Sequence, residues 1–205
     1  MIVLSADFVK SATDARGWPP AGPDEFAFCG RSNVGKSAAL NALAARKSLA
    51  RVSRTPGRTR LINFFDIRAA EKTRSGGRGA EHHLVFADLP GYGFASGKRA
   101  ETVKWREMIE EYLRGREVLR ALIVLVDGEL GAQPSDVEMV RWGESLDHRI
   151  VVAATKLDKL SRNRRDQQID RIAGQLAVPK VVGISAHELF GIDELWREML
   201  ADPAP

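Results

Sequence analysis

Six short apolar stretches recur along the chain, separated mostly by polar segments with a helical period. Glu25 to Cys29 reads as a strand closing at Gly30, and Lys36 to Arg46 follows as a helix with Leu40, Leu43 and Ala44 at helical spacing. Leu61 to Ala69 and Leu84 to Asp88, rich in Ile, Phe and Val, read as strands. The polar, glycine-rich segment from Glu71 to Glu81 between them reads as an exposed hairpin loop, longer than such a connection needs. Glu101 to Arg114 is an amphipathic helix with Val103, Ile109, Tyr112 and Leu113 available for its buried side. Ala121 to Val126 is a continuous apolar run ending in Asp127, the pattern of a parallel strand buried on both faces. Pro134 suits the first position of a helix that Ser135 to Leu146 continues. Arg149 to Ala154 is another buried strand, Arg162 to Leu176 a charged helix, Lys180 to Ile184 a last strand and Gly191 to Leu200 a closing helix.

Strands alternating with helices predict an α/β domain with a mostly parallel sheet covered on both faces. A length of 205 residues suits one such domain rather than two. Residues 1–22, which end near Trp18-Pro19-Pro20, are expected as an extension packed on a domain spanning 23–205. No apolar run reaches the roughly 18 to 20 residues needed to cross a bilayer, so no membrane role is expected. The first residues lack the basic and apolar regions of a secretory signal. Cys29 is the only cysteine, which excludes an intrachain disulfide and fits a cytoplasmic setting. The net charge of +4 is a mild excess, but its distribution is uneven. Arg46, Lys47, Arg51, Arg54, Arg58 and Arg60 fall within fifteen residues that contain no acidic one. Such a stretch either meets phosphate, on a nucleotide or an RNA, or is a solvated basic loop.

Gly30-Arg31-Ser32-Asn33-Val34-Gly35-Lys36-Ser37 is a complete G-x-x-x-x-G-K-S loop between a predicted strand and a predicted helix. Glycines let backbone N–H groups curl around phosphate oxygens, and the helix start points its positive end at the same anion. Lys36 is expected at the β and γ phosphates and the Ser37 hydroxyl on Mg²⁺. Asp88-Leu89-Pro90-Gly91 follows a strand about fifty residues later. A carboxylate there suits water-mediated Mg²⁺ binding, and Gly91 can bring its N–H to the γ-phosphate because no side chain blocks it. Alone, Asp-x-x-Gly is usually an ordinary turn; its order and spacing after the phosphate loop give it weight.

Thr155-Lys156-Leu157-Asp158 begins at the end of a further buried strand. A carboxylate at Asp158 can accept from both the ring N–H and the exocyclic amine of guanine, an arrangement adenine lacks. Lys156 is expected to lay its aliphatic stem along the base, and Ile184-Ser185-Ala186 to offer backbone N–H groups to the guanine carbonyl. Together the three motifs predict a P-loop NTPase G domain that binds GTP and GDP. Its sheet is expected to be six-stranded and mostly parallel, with one antiparallel strand and helices on both faces.

With these motifs in place, the chain closely resembles the EngB group of bacterial GTPases, related to Era and TrmE. The resemblance covers nearly the whole length. It rests on Phe8-Val9-Lys10-Ser11-Ala12, on the phosphate loop, and on Arg54-Thr55-Pro56-Gly57-Arg58-Thr59-Arg60-Leu61-Ile62-Asn63-Phe64-Phe65. It continues through Asp88-Leu89-Pro90-Gly91-Tyr92-Gly93-Phe94-Ala95. The resemblance implies a role in assembly of the large ribosomal subunit, through its rRNA and proteins, with depletion disturbing division and septation. It implies that Thr59 is the second Mg²⁺ ligand, with Gly57, Arg58, Arg60 and Leu61 along the nucleotide. It further implies a monomer acting through Lys36, Thr59 and Gly91.

Tyr92 stands where Ras-like GTPases carry the glutamine that orients the attacking water, so slow intrinsic turnover is expected. Asn33 matches an asparagine that helps hold K⁺ in TrmE-type relatives; it is either that or a residue shaping the loop. Two other readings stand beside the assembly factor: a self-sufficient metabolic NTPase, and a division-site scaffold that uses GTP as a structural ligand. No further substrate motif or catalytic base supports the first.

Overall fold

The computed structural model describes residues 1–50, 61–92 and 99–202. Its strands are β1 (Ile2–Ala12), β2 (Asp24–Gly30), β3 (Ile62–Lys72), β4 (Arg78–Asp88), β5 (Leu119–Asp127), β6 (Ile150–Thr155) and β7 (Val181–Gly183). They form one sheet in the order β1-β3-β4-β2-β5-β6-β7. From β4 through β2 and β5 to β7 every pairing is parallel, while β3 runs antiparallel to both β1 and β4. The helices are α1 (Lys36–Leu43), α2 (Arg99–Gly115), α3 (Pro134–Glu144), α4 (Arg162–Leu176) and α5 (Ile192–Leu200).

The strand alternation of two sorts the core into two layers. On β2, Phe26 and Phe28 face one side with Leu40 and Leu43 of α1 and Leu195, Trp196 and Met199 of α5. Ala27 and Cys29 face the other, with Ile109 and Tyr112 of α2, Met139 and Val140 of α3, and Ile172 of α4. β5 divides the same way, Ile123 and Leu125 against Leu122, Val124 and Val126. The crossovers thus put helices on both faces and bring the loops after β2, β4 and β6 to one end of the sheet, where ligands of open α/β sheets bind.

The sheet carries one strand more than the six expected. The added strand is β1, from the N-terminal segment, which pairs with β3 along most of its length. The hairpin also differs from expectation. β3 continues to Lys72 and β4 begins at Arg78, with register pairs as far as Lys72 and Arg78, so most of the glycine-rich segment is paired strand. Only the turn remains, closed by Thr73 N–H to the Gly77 carbonyl at 3.0 Å and Gly76 N–H to the Thr73 carbonyl at 2.9 Å. A backbone ladder needs no apolar side chain where both faces are exposed. On α2, Val103 is 49% exposed rather than buried. Nine residues at about 100° each put it roughly half a turn from Tyr112, and Met108 completes the buried stripe instead.

Away from the nucleotide end lies a buried ionic cluster. Glu25, at the start of β2, is fully buried and takes Arg116 in a fork, Nε to Oε1 at 3.0 Å and Nη2 to Oε2 at 2.9 Å. The Tyr112 hydroxyl donates to the same carboxylate, and Arg116 Nη1 donates to the Pro19 carbonyl at 3.0 Å. Trp18 packs edge-on against Tyr112, with ring centroids 5.5 Å apart. The segment before β2 and the C-terminal end of α2 are joined at this point.

Candidate nucleotide site

The phosphate loop leaves β2 at Gly30 and turns into α1 at Lys36. Gly35 caps that helix with φ of 98°, a left-handed conformation that costs a glycine nothing. Asn33 also lies in the left-handed region, at φ 66°, which asparagine tolerates better than most residues. Ser37 stands in the first turn of α1. Lys36 reaches from that turn to the Asp88 carboxylate at the end of β4, forming an ion pair with both side chains largely buried. Asn63 of β3 donates to the other Asp88 oxygen at 3.5 Å and accepts from the Ser11 hydroxyl of β1 at 2.6 Å.

The segment after Asp88 lies directly on the phosphate loop. Tyr92 N–H donates to the Gly30 carbonyl at 3.2 Å, and Ser32 N–H donates to the Tyr92 carbonyl at 3.1 Å. Between them, a side chain at Gly91 would begin 3.0 Å from Ser32 Oγ and 3.3 Å from the Gly30 carbonyl oxygen, so only glycine fits this approach without a shift. The Tyr92 ring is not in the cleft. It is buried against α2 and α3, and its hydroxyl donates to Asp136 Oδ1 at 2.9 Å. Burial raises the Tyr92 hydroxyl well above its ordinary pKa, and raises the Cys29 thiol beside it likewise.

The third loop is tied to the first. The Thr155 hydroxyl at the end of β6 lies 2.6 Å from the Val34 carbonyl and 3.1 Å from that of Val126. Lys156, itself left-handed at φ 58°, carries its ammonium across to the Asn33 carbonyl at 2.7 Å and to Asp127 Oδ2 at 2.6 Å. Its stem passes Gly35, with Cε 3.9 Å from where a β-carbon there would lie. Asp158 follows in a short turn, half-buried, and among the described residues no donor engages its carboxylate. Of the three backbone N–H groups expected at the guanine carbonyl, two are engaged within the chain. Ile184 N–H donates to the Ala154 carbonyl at 2.7 Å and Ser185 N–H to the Phe190 carbonyl at 3.0 Å, which leaves that of Ala186. Leu157 and Leu89 are buried and hold the two loops to the core.

Gly30 to Ser37, Asp88 to Gly91, Thr155 to Asp158 and Ile184 to Ala186 therefore converge at one end of the sheet. Gly57, Arg58, Thr59 and Arg60 lie outside the described residues, as do Arg51 and Arg54; Leu61, where the description resumes, is exposed. Asn63, Asp127 and Asp136 join the site here without a motif of their own in the sequence. Asp127 had a visible signal, since it ends a buried strand as Asp88 does. Asn63 and Asp136 had none. The oxygen donors Ser37 and Asp88, set beside a loop of backbone N–H groups and an ammonium, fit a hard divalent cation bound with a polyphosphate.

A fold of this topology with these three loops defines a P-loop GTPase. A family model described as "50S ribosome-binding GTPase" matches residues 25–156. The probable GTP-binding protein EngB of Anaeromyxobacter sp. (strain Fw109-5) is 46% identical over 199 residues, 96% of this chain and 90% of that one. Among solved structures, a probable GTP-binding protein engB superposes with a TM-score of 0.62 at 26% identity, covering 85% of this chain and 96% of the other. Era in complex with MgGDPNP and nucleotides 1506–1542 of 16S ribosomal RNA superposes with a TM-score of 0.65 at 25% identity, covering 89% and 58%. This chain belongs to the EngB family of GTP-binding proteins, and it is a GTPase.

Proposed function

We propose that this GTPase is a nucleotide-switched assembly factor for the large ribosomal subunit, needed for normal division and septation. The observation that carries the reading is the match of its G domain to a family described by binding to the 50S ribosome. An Era structure holding ribosomal RNA among the structural relatives supports an RNA-facing role, as does the acid-free basic stretch from Arg46 to Arg60. The protein works as a monomer in the cytoplasm, with residues 1–22 a part of the same unit.

In this reading Gly30 to Ser37 wrap the phosphates, and Lys36 leaves Asp88 for the β and γ oxygens when nucleotide enters. Asp158 and Ala186 read guanine while Lys156 covers the base. Ser37 and Thr59 would hold Mg²⁺, which would supply positive charge against that developing between the β and γ phosphates. Gly91 presents its N–H to the γ-phosphate. Because the Tyr92 hydroxyl is directed to Asp136, it does not orient water, and turnover without a partner is slow. Asn33 either shapes the loop, as its left-handed backbone supports, or would contribute to a K⁺ site that supplies positive charge in place of an arginine finger. With a K⁺ site, turnover is expected to be faster in KCl than in NaCl at equal ionic strength; equal rates would remove K⁺ from the mechanism.

The ribosomal role is tested by sedimenting the protein with purified large subunits in the presence of a non-hydrolysable GTP analogue or GDP. More protein should pellet with the analogue, and the bound fraction should fall steeply with salt, because cationic contacts to RNA release counterions. Absence from the pellet in both states would defeat the proposal and favour the division-site scaffold.

A further inference from the structure

Tyr92 is fastened at three points. Two are its own backbone bonds to Gly30 and Ser32 of the phosphate loop, and the third is the hydroxyl bond to Asp136. Asp136 is 1% exposed, an unusual place for a carboxylate that the nucleotide reading does not use. Its other oxygen accepts the Gln133 N–H at 2.8 Å, which closes the first turn of α3. Burial raises its pKa, opposed by the Gln133 and Tyr92 donors and by the positive charge of Arg31 in the phosphate loop. One carboxylate is thus in contact with the start of α3 and with the residue that follows Gly91, and in the field of the phosphate loop.

We infer that Asp136 is a positioning residue for the loop that reads the γ-phosphate: by holding the Tyr92 hydroxyl it fixes the Gly91 peptide over the phosphate loop and couples that position to the start of α3. The inference rests on the proposed role of Gly91. A backbone N–H contributes fully to binding only if its position is set before the ligand arrives; otherwise binding must also order the peptide. Gly91 has no side chain to pack, so its own conformational freedom is large. Its neighbours supply the restraint: Trp105 Nε1 donates to the Pro90 carbonyl of the same peptide unit at 3.2 Å, and Tyr92 holds the following one. The Tyr92 ring alone, in an apolar layer, could slide or rotate; the hydroxyl bond to a carboxylate that itself caps a helix gives it one position. GDP has no γ-phosphate, so only GTP should sense this restraint.

The test is Tyr92→Phe, which removes the hydroxyl and leaves the ring and the α3 cap in place. Affinities for fluorescent GDP and for a non-hydrolysable GTP analogue are measured in Mg²⁺ buffer. GDP affinity should stay within about two-fold, while that of the analogue falls about ten-fold, the scale of ordering one peptide unit. Gly143→Ala is the comparison. Its β-carbon would lie 2.7 Å from Ile150 Cδ1 and 3.0 Å from Leu122 Cδ2, straining the last turn of α3 and leaving its first turn, with Asp136, in place. It should lower the melting temperature and leave the GTP to GDP ratio unchanged. An unchanged ratio in Tyr92→Phe, a parallel loss of both nucleotides, or the same ratio change in Gly143→Ala would each overturn the inference. Gly91→Ala separates the role of Gly91 from that of Asp136. If it leaves the ratio unchanged, the reading of Gly91 fails; if it shifts the ratio and Tyr92→Phe does not, only the role of Asp136 falls.

Discussion

Replacing Glu25 by alanine is expected to cost about 3–5 kcal/mol of folding stability, the largest loss foreseen for any single change considered for this chain. Arg116 would keep its buried position with 7% of its side chain exposed and lose both bonds that balance its charge. The Tyr112 hydroxyl would lose its acceptor at the same time. Only the Pro19 carbonyl would remain, and a single neutral dipole does not offset a buried guanidinium. Urea denaturation should show the midpoint falling with the slope unchanged, and the melting temperature should drop by about 6–20 °C for a chain of this size. Changing Glu25 and Arg116 together to apolar residues of similar volume should recover much of the loss, since desolvation opposes the pair as well as its breaking. A loss below about 1 kcal/mol in Glu25→Ala would mean that water reaches Arg116 and that the cluster is not a fastening.

The largest functional effect is expected from Asp158→Ala. The carboxylate stands half-buried, with no donor engaging it among the described residues, in a turn held by Leu157 N–H to the Ile184 carbonyl at 3.3 Å. Two N–H groups of guanine meeting one ionised acceptor form charge-assisted bonds, each worth about 1.5–3 kcal/mol. Adenine would leave the acceptor desolvated and unpaired, so the wild type should prefer GTP over ATP by roughly 10⁴. In the variant, competition against fluorescent GDP should show that preference collapsing through loss of GTP affinity. ATP affinity should stay where it was, because the phosphate loop is unaltered. Retained guanine preference in Asp158→Ala would move base recognition elsewhere and withdraw the role given to this turn.

Much of this architecture is legible in the sequence because it is repeated at two scales. Buried parallel strands such as β5 carry an uninterrupted apolar run, here Ala121 to Val126, and Gly30 to Ser37 needs particular residues at particular spacings. The parts that escape reading share a cause: their side chains do not report their surroundings. β1 is a sheet edge whose residues Asp7 to Lys10 are all exposed, so no alternation marks it as a strand. The outer hairpin is held by backbone bonds between polar residues such as Glu71 and Lys72, which by composition read as loop. Glu25 reads as a surface carboxylate because the guanidinium that makes its burial tolerable lies ninety-one residues away. Tyr92 is visible as a missing glutamine, but the direction of its hydroxyl depends on Asp136, forty-four residues later. At the guanine end the sequence offers three backbone donors, whereas the sheet and the Ser185 to Phe190 bridge already use two.

The ionic cluster at Glu25 has a mechanical consequence for α2. That helix has seventeen residues, about 25 Å of rigid rod. Near its end, Tyr112 and Arg116 are bolted to β2 and to Pro19. Seven residues before Tyr112, Trp105 Nε1 donates to the carbonyl of Pro90, next to Gly91, at 3.2 Å. The two attachments lie about 10 Å apart along the helix axis. One rigid element therefore ties the peptide beside Gly91 to the segment that leads into β2, so the nucleotide end of the sheet and its opposite end share a single strut.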